Sequence, residues 1–102
     1  MKLLIITAIS AFDSEVKAIL KKTEVKTFTY QEVKGHKDLT ESEKIENNWF
    51  VAEAVETDST LFYAFVPSQQ MEAVFDEIEQ LNSKLDIASK IHIAVLNIEK
   101  IN

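Results

Sequence analysis

One histidine in this chain sits among carboxylates. His36 is followed by Asp38, Glu41 and Glu43. Imidazole nitrogen and carboxylate oxygen are donors that zinc and other first-row divalent metals accept, so His36 is a candidate metal ligand. A solvated polar loop has the same composition, and the metal reading gains force only if several copies of His36 meet on an axis. His92, the second histidine, falls in a β-like run and is read as a packed or interface side chain. Cysteine is absent, which removes thiolate ligands, disulfides and a cysteine nucleophile. No serine has a nucleophile-elbow context, and there is neither a Walker motif nor a His-Glu-x-x-His pair. Carboxylate pairs on the expected helices are ordinary surface charge. These residues point to binding, not to an enzyme.

The elements around His36 follow from periodicity. Residues 2–9 are apolar at nearly every position and rich in β-branched types, as in a buried strand. Lys2 followed by this apolar run also has the look of a secretory leader; it is read as a strand because the domain would otherwise lose its most apolar segment. Asp13 or Ser14 is placed to cap a helix in which Val16, Ile19 and Leu20 form one stripe. Residues 27–34 form a second strand with mixed faces, as expected at a sheet edge. It stops at Gly35, the chain's only glycine. Gly35 is read either as a positive-φ residue closing the strand or as a gap that lets a ligand or loop approach.

Residues 36–48 are polar and form the expected loop. Residues 49–55 are β-like and open on Trp49 and Phe50, which suit core packing, an interface or ligand stacking. A turn is expected over 56–59, then a strong strand over 61–66 that Pro67 ends. Ser68 is placed to cap a second helix, with Met71, Val74, Phe75, Ile78 and Leu81 on one face. A polar linker over 82–90 leads to a last strand over 91–98. The order is β-α-β-β-α-β, an α+β ferredoxin-like split sandwich with an extended loop or hairpin between strands 2 and 3.

The chain has 102 residues, the size of one domain. Apolar residues make up 46%, enough for a core. Net charge is −6 and every basic residue is lysine. The missing guanidinium removes the planar fork that best clamps phosphate or carboxylate. No basic stripe is present, so a nucleic-acid partner is not expected. Glu72, Asp76, Glu77 and Glu79 give the second helix a solvated acidic face. No run approaches the ~20 apolar residues needed to span a bilayer, so direct membrane insertion is not expected. The absence of cysteine is compatible with a reducing cytoplasm.

Two helices cover only one face of such a sheet. Yet Leu3 and Ile5 alternate with Leu4 and Ile6, Tyr63 and Phe65 with Phe62 and Val66, and Ile93 and Val95 with Ala94 and Leu96. A solvated second face would instead alternate apolar with polar. Sheet faces meeting across subunits, or residues 49–55 or the loop folding over, would hide this surface.

The architecture, with Tyr30-Gln-Glu-Val-Lys-Gly-His36 entering a long loop and Phe65-Val-Pro-Ser68 opening the second helix, resembles the PII-like signalling proteins over nearly the whole chain. Residues 52–56 with 61–66 look like a small branch often encoded beside heavy-metal efflux pumps. CutA-type proteins, linked to divalent metal tolerance, are a more distant likeness. The resemblance implies one PII-like domain over 1–102, a homotrimer with sheets packed inward, and ligand clefts between subunits. It implies ligand contacts at Lys34, Gly35, His36 and Lys90, with the lysines meeting nucleotide phosphates. It also implies a loop that signals to a protein partner such as a membrane transporter through Lys37, Asp38, Glu41, Glu43 and Lys44. An adenine nucleotide or a divalent metal is the implied ligand. Three features depart from the family pattern: the linker 83–90 has no glycine, the loop has no tyrosine, and Lys100 is the one basic residue of the C-terminal pattern. A small phosphatase of this fold would need an arginine.

Overall fold

The computed structural model describes residues 1–38, 54–86 and 89–102. Among them, β1 (Lys2–Ile9) leads through a single 3-10 turn (Ser10–Phe12) into α1 (Asp13–Lys22). Then come β2 (Thr29–Asp38), β3 (Ala54–Val66), α2 (Ser68–Asn82) and β4 (His92–Asn97). The strands form one antiparallel sheet in the order β2-β3-β1-β4. This is the expected ferredoxin-like α+β sandwich, with β2 at an edge.

Register divides the side chains between two faces. Leu4 pairs with Ala64 and Val95, and Ile6 with Phe62 and Ile93. These residues face the helices and pack with Val16, Ile19 and Leu20 of α1 and Val74 and Ile78 of α2. Phe62, Val16, Val74 and Ile78 are almost wholly inaccessible. The α1 stripe is buried as read from helical periodicity; on α2, Val74 and Ile78 are buried, Met71 and Leu81 pack on the core partly buried, and Phe75 is half-buried at its margin. Helix initiation differs from expectation: α1 includes Asp13 and α2 includes Ser68, and neither helix has a side-chain cap bond. Asp13 and Glu15 instead lie in the first turn of α1, where carboxylates oppose the helix dipole.

The opposite face holds Leu3, Ile5, Leu61, Tyr63, Phe65, Ala94 and Leu96. Leu3 pairs with Phe65 and Leu96, and Ile5 with Tyr63 and Ala94. Phe65 is 51% exposed, Leu96 42% and Tyr63 38%. No described element covers this face. Residues 49–53, the alternative cover, lie outside the described residues, as do Trp49 and Phe50.

Two expectations about the middle of the chain are overturned. β2 continues through Gly35 to Asp38, and no described glycine has positive φ. The turn expected over 56–59 is absent; those residues lie within one strand of 13 residues. The cause is cross-strand chemistry. Lys34 stands opposite Asp58 and His36 opposite Glu56, so an ion pair and an imidazole–carboxylate hydrogen bond join the two strands of the ribbon. The segment 56–59 also lacks the glycine or proline that would favour a turn over pairing.

Two polar devices hold the helix ends. After α1, Glu24 takes φ 64° while its N–H donates to Lys21 O (3.1 Å) and the Val25 N–H donates to Leu20 O (2.9 Å). This is the paired-bond termination usually built on glycine. After α2, Asn82 Nδ2 donates to Ile91 O and the Ile91 N–H donates to Asn82 Oδ1, both at 2.8 Å. Asn82 is buried and copies a strand-pairing partner for the residue just before β4. Among the described residues, no helix is long and apolar enough to cross a membrane.

Candidate functional site

The β2–β3 ribbon and the beginning of β4 frame a groove of about 450 Å³. Lys34, Gly35, His36 and Lys90 all line it, together with Thr57, Ser59 and His92. Residues 34–36 and Lys90, far apart in sequence, border the same groove from opposite sides, with Thr57 and Ser59 of β3 and Thr7 to Ile9 of β1 between them. The Asn82–Ile91 latch fixes the backbone next to Lys90.

Each of these residues has a physical setting. The Lys34 ammonium donates to Asp58 Oδ1, an ion pair between two well-exposed side chains. The hydrogen bond that Lys34 donates to Asp58, and the charge of that carboxylate, raise the Lys34 pKa above the ordinary lysine value. An anion reaching Lys34 must therefore compete with Asp58. His36 Nδ1 lies 2.9 Å from Glu56 Oε1. An ionised carboxylate only accepts, so Nδ1–H is the donor, and in a neutral ring Nε2 is then the acceptor. Gly35 has ordinary strand geometry. A Cβ there would come within 3.2 Å of Ser59 Oγ, so its lack of a side chain keeps this wall of the groove low. His92 is exposed on the open face opposite Thr7, so it is not packed within the single chain, and of its two readings the interface one remains.

Strand alternation turns the Thr57, Ser59 and His92 side chains toward the groove, whereas the Lys34 and His36 side chains lie on the other face, paired with Asp58 and Glu56; the groove thus offers the Lys90 ammonium, the His92 imidazole and the hydroxyls of Thr57 and Ser59. This donor set suits an anion with polar substituents. Its remaining wall is apolar, from Ala8 and Ile9. Among the described residues, no group of three or more histidine, aspartate or glutamate side chains is arranged to hold a metal ion. Glu41, Glu43 and Lys44 of the expected partner loop lie outside the described residues. The backbone of Lys37 and Asp38 belongs to β2, opposite Val55 and Ala54, so these two residues lie in a strand and not in the expected loop.

Sequence reasoning missed the second wall. Glu56, Thr57, Asp58 and Ser59 were assigned to a turn, whereas they form the strand that pairs with 33–36. A signal was present: acids at 56 and 58 and bases at 34 and 36 share the two-residue spacing of facing strands.

No family model and no curated protein matches the chain. Solved structures do. GlnK from B. subtilis superposes with TM-score 0.71 and 19% identity, over 96% of this chain and 84% of GlnK. CPII from Thiomonas intermedia K12, bound to ADP, AMP and acetate, gives TM-score 0.64 and 16% identity, over 95% of this chain and 84% of CPII. The same protein, a nitrogen regulatory PII-like protein, bound to ADP, AMP and bicarbonate, gives 0.63 and 12%, over 99% of this chain and 94% of CPII. The chain therefore has the fold seen in GlnK and CPII, a PII-like fold.

Proposed function

We propose that this chain is a PII-like regulatory protein that works as a cytoplasmic homotrimer. Its open sheet faces pack inward, its groove senses a small ligand at the subunit boundary, and the loop following β2 signals to a protein partner. A membrane transporter is the partner class, in keeping with the resemblance to the efflux-associated branch. The observation that carries this reading is the apolar face, covered by no described element, that runs up to the groove. Leu3, Ile5, Tyr63, Phe65 and Leu96 form contiguous apolar surface of a kind soluble monomers rarely leave in water. Burying it between copies returns roughly 25 cal/mol for each Å² of apolar area. His92 and Thr7 lie at the groove end of this face, so assembly through it brings a neighbouring copy to the site.

The ligand class we assign is an adenine nucleotide. CPII, which shares the fold, holds ADP and AMP. Here Lys90 supplies the positive charge that lines the groove, and Gly35 leaves room for close approach. The role is one of binding, not turnover.

Light scattering at micromolar concentration is expected to return three times the 11.6 kDa chain mass. A well-folded species of single-chain mass refutes the assembly. Calorimetry with AMP, ADP and ATP is expected to show saturable binding to the wild type, weakened in Gly35→Ala and Lys90→Ala. Absence of binding by all three removes the nucleotide assignment and leaves the assembly standing.

A further inference from the structure

A second concavity lies beside α1, on the helix side of the sheet and away from the groove. It measures about 490 Å³, within the range of small-molecule sites, and is lined by Lys17, Lys21, Glu24, Val25, Lys26 and Phe28. Val25 and Phe28 supply apolar surface at its base. Phe28 belongs to an aromatic cluster with Tyr30 and Phe62, with ring centroids 6.1 Å from each, so this base is rigidly backed. Four charged groups border it, three cationic and one the Glu24 carboxylate. A chain of net charge −6 has thus gathered three lysines around one apolar hollow.

The arrangement of these lysines singles the hollow out. Lys22 of α1 pairs with Glu77 of α2 at 3.0 Å, whereas among the described residues Lys17, Lys21 and Lys26 form no ion pair with a carboxylate. The Lys17 ammonium sits 4.1 Å from the centre of the Tyr30 ring. That contact holds the head group in place and leaves its N–H donors available. Neighbouring ammonium groups repel, and an anion placed among them turns that repulsion into attraction. A purely apolar ligand would gain nothing from the rim, and a bare inorganic anion nothing from the base.

We propose that this cavity binds an amphipathic organic anion, a flat apolar body set against Phe28 and Val25 with its carboxylate or phosphate met by Lys17, Lys21 and Lys26. The flat body follows from the aromatic base. The single negative end follows from the three-to-one excess of cations over Glu24. The site is separate from the groove and does not depend on the regulatory reading above.

The test is an amide NMR titration of the intact chain with naphthalene-2-carboxylate, naphthalene-2-carboxamide and inorganic phosphate. The carboxylate is expected to shift amides within 17–28 and to bind about tenfold more tightly than the carboxamide, the gain from a few partly exposed charge contacts. Phosphate is expected to bind more weakly than the carboxylate. Lys21→Gln combined with Lys26→Gln is expected to lower carboxylate affinity roughly three- to tenfold while the remaining amide spectrum stays in place. Equal affinity for carboxylate and carboxamide overturns the proposal. So does phosphate binding as tightly as the carboxylate, or a set of shifts confined to the open sheet face around Leu3, Tyr63 and Phe65.

Discussion

Replacing Asn82 by alanine tests how the end of α2 is tied to β4 and, through it, how Lys90 is held. In the native chain the Asn82 amide satisfies both the N–H and the carbonyl of Ile91 at 2.8 Å. Ile91 is 2% exposed and Asn82 9%, so water has little access to either group. Alanine deletes both hydrogen bonds and leaves two buried backbone groups without partners. Each such loss costs about 1–3 kcal/mol. Some water entry into the space left by the amide offsets part of this, so the expected total is roughly 2–4 kcal/mol. That is a large share of the ~5–15 kcal/mol that holds a domain of this size together. Urea unfolding at a fixed protein concentration reads it as a midpoint lower by about 1–3 M with an unchanged slope. Holding concentration constant matters because assembly stabilises by mass action. Asn82→Asp is a sharper probe. Its carboxylate still accepts from the Ile91 N–H but cannot donate to the Ile91 carbonyl, so it is expected to rescue little. Amide exchange at Ile91 is expected to accelerate in both variants. A loss below about 0.5 kcal/mol in Asn82→Ala, or a stable Asn82→Asp, refutes the latch.

Three further outcomes follow from the same structure. Glu24→Gly is expected to raise stability by about 0.5–1 kcal/mol in thermal or urea unfolding, because residue 24 has φ 64° and glycine takes that conformation without a Cβ penalty; a loss of stability contradicts it. Tyr63→Lys combined with Phe65→Lys places charge on the open face and is expected to lower the light-scattering mass toward a single chain while circular dichroism keeps the folded signature; an unchanged mass contradicts assembly through that face. Asp58→Asn is expected to bring the Lys34 pKa back toward the ordinary lysine value, followed by NMR titration of its side chain. Because the folded-state value is raised, the small stabilisation from this pair is complete below the unfolded-state lysine pKa of 10.5 and disappears as pH rises through the folded value. A Lys34 titration insensitive to Asp58→Asn contradicts the cause assigned to its shift.

The legible parts of the fold were those in which one chemical pattern repeats. Lys2–Ile9 was read with its observed bounds because eight consecutive residues obey one strand pattern. The α1 and α2 stripes were legible because helical spacing places Val16, Ile19 and Leu20, or Val74 and Ile78, on one side regardless of what they touch. The doubly apolar strands were visible for the same reason. The ribbon was misread because residues 56–59 are polar, and local composition does not distinguish a turn from a strand whose side chains find charged partners twenty or more residues away. The strand-ending reading of Gly35 failed because a lone glycine signals a backbone break only when the partner strand fails to continue past it.

At the candidate site, the identity of Lys34, Gly35, His36 and Lys90 could be taken from the chain itself, and so could the surplus of apolar β surface. Covalent order determines side-chain chemistry and, through periodicity, which side chains share a face. Their meeting in one groove was decided by the strand order β2-β3-β1-β4, which no local pattern encodes. Tertiary pairing alone gave Lys34 its Asp58 and His36 its Glu56, and turned Asn82 from a residue at the start of a linker into the clasp of β4. The physical reason is range: propensity and hydrophobic spacing act over a few residues, whereas hydrogen bonds and ion pairs between strands depend on which distant segments the folded core brings within about 3 Å.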